Sequence, residues 1–154
     1  MKYDYWGLLK HLKNPLRTIY VLHGDETLIQ QEALIALRQV AKQQGFLEHE
    51  RHDVDKHYDW SMAFADSNAL SLFSDKKLIE IHSNKPDAAG AKVIEAYLQS
   101  PPEDNVVILV LPKIDAAAQK SKWFTACEDH GITVSCAPLT DYQFKDWIVQ
   151  RCQS

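Results

Sequence analysis

Thr18-Ile19-Tyr20-Val21-Leu22-His23-Gly24-Asp25-Glu26-Thr27-Leu28-Ile29-Gln30 decides the fold. Five β-branched or apolar residues form a run that suits a buried strand. A glycine follows at once, and a helix of about four to five turns is predicted from Thr27 to Gln43, with Ile29, Ala33, Ala36, Leu37 and Val40 on one face. Strand, glycine and long helix is the layout of a P-loop nucleotide site. A working loop reads GxxxxGK[ST]: glycines let backbone N–H groups wrap the phosphates, the lysine neutralises them, and the hydroxyl holds Mg²⁺. This stretch has one glycine and no Lys-Ser/Thr pair. Asp25 and Glu26 place carboxylates at the helix N-terminus, whose partial positive charge would otherwise attract phosphate.

Working outward, Asn105–Leu111 is a continuous apolar run, as expected of a central strand covered on both faces. It leads into Pro112-Lys113, so the acid that would hold Mg²⁺ at the end of such a strand is missing, and Asp115 reads as a helix cap. Both halves of the nucleotide chemistry are absent together. Further strands are expected at 47–54, 77–81 and 132–136, and helices at 5–12, 60–65, 88–98, 115–129 and 140–150. Five strands alternating with helices imply a single α/β domain over residues 1–154. Its mainly parallel five-stranded sheet is flanked by helices, in an AAA+/RecA-like P-loop fold without a functional P-loop.

The 154 residues suffice for one domain, and a 45% hydrophobic content suffices for its core. Seventeen basic residues face twenty-one acidic ones, a net charge of −4, which argues against a broad nucleic-acid-binding surface. No apolar run approaches the ~20 residues of a membrane span, and the N-terminal Met1-Lys2-Tyr3-Asp4-Tyr5-Trp6 does not read as a signal peptide. Three cysteines, Cys127, Cys136 and Cys152, without framework spacing suit reduced thiols in the cytoplasm.

Two segments invite functional readings. Glu48 to His57 is rich in potential metal ligands, and a metal-dependent hydrolase using His49, His52 and His57 is the alternative function. On a strand, however, residues three apart point to opposite faces. No catalytic site, cofactor site or metal site is otherwise evident. In Leu70-Ser71-Leu72-Phe73 three large apolar residues crowd into four positions. If Leu70 and Phe73 face the core, Leu72 is left off that face. An exposed Leu-Phe pair instead suits an anchor for a pocket on another protein.

The chain resembles the N-terminal domain of the delta subunit of the bacterial DNA polymerase III clamp loader. The resemblance is carried by Tyr20-Val21-Leu22-His23-Gly24-Asp25-Glu26, Leu28-Ile29-Gln30-Gln31-Glu32, Gln44-Gly45-Phe46, Asp59-Trp60, Leu70-Ser71-Leu72-Phe73 and Gln119-Lys120-Ser121-Lys122-Trp123-Phe124, in that order along nearly the whole chain. It implies an AAA+-type fold that does not bind ATP. It also implies a role in DNA replication, binding the sliding clamp (beta subunit) and helping to open the ring. The family's clamp-binding helix ends in a Leu-Phe pair that matches Leu72 and Phe73, with Leu70 and Ser71 in the same motif. Asn68 stands where clamp-binding peptides often carry Gln. The family continues into lid and collar domains, so the chain is expected to be a fragment whose contacts to other clamp-loader subunits lie in missing regions. The resemblance implies DNA only as an indirect partner, and no membrane is expected.

Overall fold

The computed structural model describes residues 1–54, 60, 76–101, 104–136 and 148–149. Strands β1 (Lys2–Asp4), β2 (Ile19–His23), β3 (Glu48–Asp53), β4 (Lys77–His82), β5 (Asn105–Leu111) and β6 (Ile132–Ser135) form one sheet in the order β1-β6-β2-β5-β4-β3. Every pairing among them is parallel. The expected class therefore holds, with six strands among the described residues in place of five. The additional strand, β1, has three residues and aligns Lys2, Tyr3 and Asp4 with Thr133, Val134 and Ser135. A polar triplet carries no period of its own, so only pairing with β6 makes it a strand.

Helices α1 (Tyr5–His11), α2 (Thr27–Gln43), α3 (Ala88–Gln99), α4 (Ala116–Gln119) and α5 (Lys122–His130) cover the sheet. The two faces follow from strand alternation. Ile19 and Val21 of β2 join Ile79, Ile81, Val107 and Leu109 in the core beneath α3 and α5. Tyr20 and Leu22 join Leu78, Ile108, Ile132 and Val134 beneath α1 and α2. Helix α2 buries Ile29, Ala33, Leu34, Leu37 and Ala41, while Ala36 and Val40 pack half-buried at the margin. Gly45 ends it with φ +96, a conformation that favours glycine.

The helix expected over 115–129 is two helices. Asp115 does cap the first, its carboxylate accepting from the Ala118 N–H at 2.7 Å. That helix closes after one turn, where the Ser121 N–H bonds back to Ala118 O at 3.1 Å, and Ser121 then opens α5. The expected helix over 60–65 lies outside the described residues apart from Trp60. Of the last helix only Ile148 and Val149 are described, and both are helical and exposed.

Candidate functional site

The segment after β2 occupies the phosphate-loop position and is closed by its own neighbours. Gly24 has φ +139, and a Cβ there would stand 2.1 Å from the backbone oxygen of Cys136 at the end of β6. The same oxygen accepts the Glu26 N–H at 3.2 Å, and the Cys136 N–H bonds His23 O at 2.7 Å. Glu26 is the N-cap of α2, its carboxylate accepting from the Leu28 N–H at 3.3 Å. A helix N-terminus attracts phosphate through free amides and dipole, and here a side-chain carboxylate already occupies that position.

Counted from Gly24, the motif's lysine falls at Gln30. Its side-chain amide donates to Leu22 O at 3.2 Å and to Leu111 O at 2.7 Å. One neutral group thus ties the C-terminal ends of β2 and β5, between which the lysine of a working loop would meet phosphate. The sequence carried a signal for this in the six-residue spacing. His23, beside the loop, is buried against Phe124 with ring centroids 5.3 Å apart. Burial, helped by the Lys2 charge, holds its pKa below the ordinary value and favours the neutral ring.

Charge reappears two turns further along α2. Glu80, in the middle of β4, is fully buried. Arg38 grips it with two bonds, Nε at 2.6 Å and a terminal nitrogen at 2.7 Å. His82 lies 2.9 Å from one carboxylate oxygen, and His49 of β3 contacts the other. Burial alone would raise the Glu80 pKa. The Arg38 and His82 hydrogen bonds, with the Arg38 and His49 charges, outweigh it and bring the group down to about 2. The Arg38 guanidinium is raised in turn, chiefly by its bond to Glu80.

This arrangement disposes of His49 and His52 as a metal pair. They sit three apart on β3 and fall on opposite faces, His49 against Glu80 and His52 3.4 Å from Glu50. His57 lies outside the described residues, and among those described no group of three His, Cys, Asp or Glu side chains is placed to hold a metal ion.

Leu70, Ser71, Leu72 and Phe73 also lie outside the described residues. The described residues on either side of their interval are firmly held. Trp60 is buried, and its indole lies so close to Gly90 of α3 that a Cβ there would stand 2.9 Å from the ring. Lys76 donates to Gln44 O at 3.2 Å and stands 5.1 Å from the centre of the Phe46 ring, while Lys77 pairs with Glu50 at 2.6 Å. Among the described residues no helix is long and apolar enough to cross a membrane.

Sheet order, crossover helices and the strand-glycine-helix unit define a P-loop-type α/β module whose phosphate loop is filled from within. Comparison with known proteins makes the class specific. The profile of the family described as "DNA polymerase III, delta subunit" matches residues 20–137. The chain belongs to that family. DNA polymerase III subunit delta of Escherichia coli (strain K12) is 31% identical over 148 residues, covering 95% of this chain and 43% of that protein. The Bacillus subtilis DNA clamp loader delta protein superposes with a TM-score of 0.73 at 21% identity, covering 95% of this chain and 46% of that one. A DNA polymerase III gamma subunit-related protein of Thermotoga maritima shares the fold, with a TM-score of 0.52 at 12% identity over 96% of this chain and 49% of that one. The chain spans under half the length of the curated relatives it matches.

Proposed function

We propose that this chain is the clamp-binding domain of a clamp-loader delta subunit, acting in the bacterial cytoplasm during DNA replication. The observation that carries this reading is the family match over residues 20–137, which spans the interval holding Leu70-Ser71-Leu72-Phe73. Leu72 and Phe73 enter an apolar pocket on the sliding clamp, with Leu70 and Ser71 completing the contact. Burying each of the two large side chains contributes roughly 1.5–3 kcal/mol. The domain helps to open the ring by binding the open form better than the closed one, because a ligand shifts an equilibrium only by its differential affinity. The filled loop at Gly24, Glu26 and Gln30 supports a second part of the reading. This domain binds no ATP, and the energy for loading comes from partner subunits.

The test is the affinity of the chain for its cognate clamp, measured by calorimetry for the natural sequence, Leu72→Ala, Phe73→Ala and the double variant. Each single change is expected to weaken binding by about tenfold or more. Unchanged affinity in the double variant would remove the assignment.

A further inference from the structure

On the α2 face of the sheet, between that helix and the edge pair β3–β4, lies a solvent-open cavity of about 370 Å³. Its polar lining consists of Thr27, Gln30, Gln31, Arg38, Arg51 and His82, and among these described residues there is no carboxylate. Glu80 lies beneath it, already gripped by Arg38. Arg51 is different. It lies beside Glu80 in the β3–β4 register, but it pairs with Asp53, at 3.2 Å, and both side chains are more than half exposed. An exposed pair of that kind is weak and easily exchanged. Arg38 and His82 are both taken up by Glu80, so the Arg51 guanidinium, with amide and hydroxyl neighbours, is the cavity group that suits an incoming oxyanion.

Two observations choose between a free small anion and a carboxylate carried by a protein. The α2 amides that would help hold a small anion are headed by the Glu26 carboxylate. The cavity is also bordered by apolar surface that a small anion would not use. Leu34, Ile35 and Val110 contribute to its wall. Leu28 is 46% exposed and Ile35 44% exposed, seven residues apart on one stripe of α2. Gln31 and Glu32 lie between them on the helix surface, and two exposed apolar side chains with polar neighbours beside an arginine-bearing cavity suit a protein interface.

We propose that this face of α2 is a second interaction surface, distinct from residues 70–73, which receives a segment of another subunit bearing an Asp or Glu beside apolar side chains. The carboxylate enters the cavity and takes Arg51 over from Asp53, while the apolar neighbours cover Leu28 and Ile35. The proposal does not depend on the clamp contact.

A photo-crosslinking amino acid in place of Ile35, in the complete delta subunit assembled with its polymerase III partner subunits, tests it. The expected product is one crosslink to another subunit, within a peptide containing Asp or Glu. Arg51→Glu in the same subunit should reduce its yield by tenfold or more, and replacing the partner's acid by Lys should restore it. Leu28→Ser should reduce it several-fold. Unchanged yield with Arg51→Glu, a crosslinked peptide lacking an acid, or attachment only to the clamp would overturn the proposal. So would saturable binding of inorganic phosphate in the cavity, seen as NMR shifts lost with Arg51→Glu, if no crosslink forms. Matching thermal unfolding curves for the natural chain and Arg51→Glu establish that the variant is folded.

Discussion

The two ends of the contact between α2 and the sheet are built on opposite principles. At its first turn the helix meets the sheet through a neutral amide, Gln30 on Leu22 O and Leu111 O. Two turns later it meets β4 through a charged pair, Arg38 on fully buried Glu80. A P-loop ATPase concentrates its charge at the first turn, where lysine faces phosphate. Here that turn is neutral apart from the self-capping Glu26, and the charge further along is satisfied internally. The helix is thus tied to the sheet at both places by contacts that need no ligand, which suits a domain acting as a rigid platform.

The largest expected effect comes from breaking the charged contact. Arg38→Leu leaves a buried carboxylate without its main partner and should destabilise the chain by about 3–5 kcal/mol in urea unfolding. Replacing both residues by apolar ones, Arg38→Leu with Glu80→Val, should recover much of that loss, since a buried pair is often close to neutral against an apolar substitute. A double variant no better than Arg38→Leu would mean that the damage comes from packing and not from the orphaned charge.

The same contact predicts an acid response. With a folded pKa of about 2 against an ordinary value of 4.5, Glu80 contributes stability that is fully present above pH 4.5. It is lost as pH falls toward 2, because the unfolded chain takes up the proton first. The loss is on the order of 3 kcal/mol. The pH dependence of unfolding should therefore be visibly flatter in Glu80→Gln between pH 4.5 and 2, and an unchanged slope would contradict the account.

Smaller effects are expected at the neutral end. Gly24→Ala meets both the positive φ and the Cys136 oxygen and should cost about 2–3 kcal/mol. Gln30→Ala leaves two strand-end carbonyls without that donor and should cost about 1–2 kcal/mol. If Gln30→Ala proved as costly as Arg38→Leu, the contrast between the two ends would fail.

Much of this fold was legible because its central elements carry strong periods. The run Asn105–Leu111 and the helix Thr27–Gln43 have the observed bounds, since an all-apolar strand and a long amphipathic helix leave little alternative. The short strand β1 was not legible, because its extended form comes from β6, about 130 residues away. The break at Lys120-Ser121 is hidden because the helical pattern runs through it, and Ser121 heads α5 without a side-chain cap, its hydroxyl bonding back to Ala118 O instead. The closed phosphate loop was readable as missing chemistry, from one glycine and no Lys-Ser/Thr pair. Its filling by Gln30 required knowing that the ends of β2 and β5 lie side by side. Glu80 shows the limit most clearly. In Lys77-Leu78-Ile79-Glu80-Ile81 it looks like an ordinary polar residue on a strand, and its partners Arg38 and His49 stand 42 and 31 residues away. Leu70-Ser71-Leu72-Phe73 stands out by local crowding alone, and the role proposed for it rests on the family resemblance.

The measurement closest to the central claim is a titration of this chain with its cognate sliding clamp, with and without ATP, for the natural sequence and for Leu72→Ala/Phe73→Ala. The account predicts one Kd regardless of ATP, and a Kd about 100-fold or more weaker in the double variant. A Kd that tightens with ATP, or one that the double variant leaves unchanged, would contradict it.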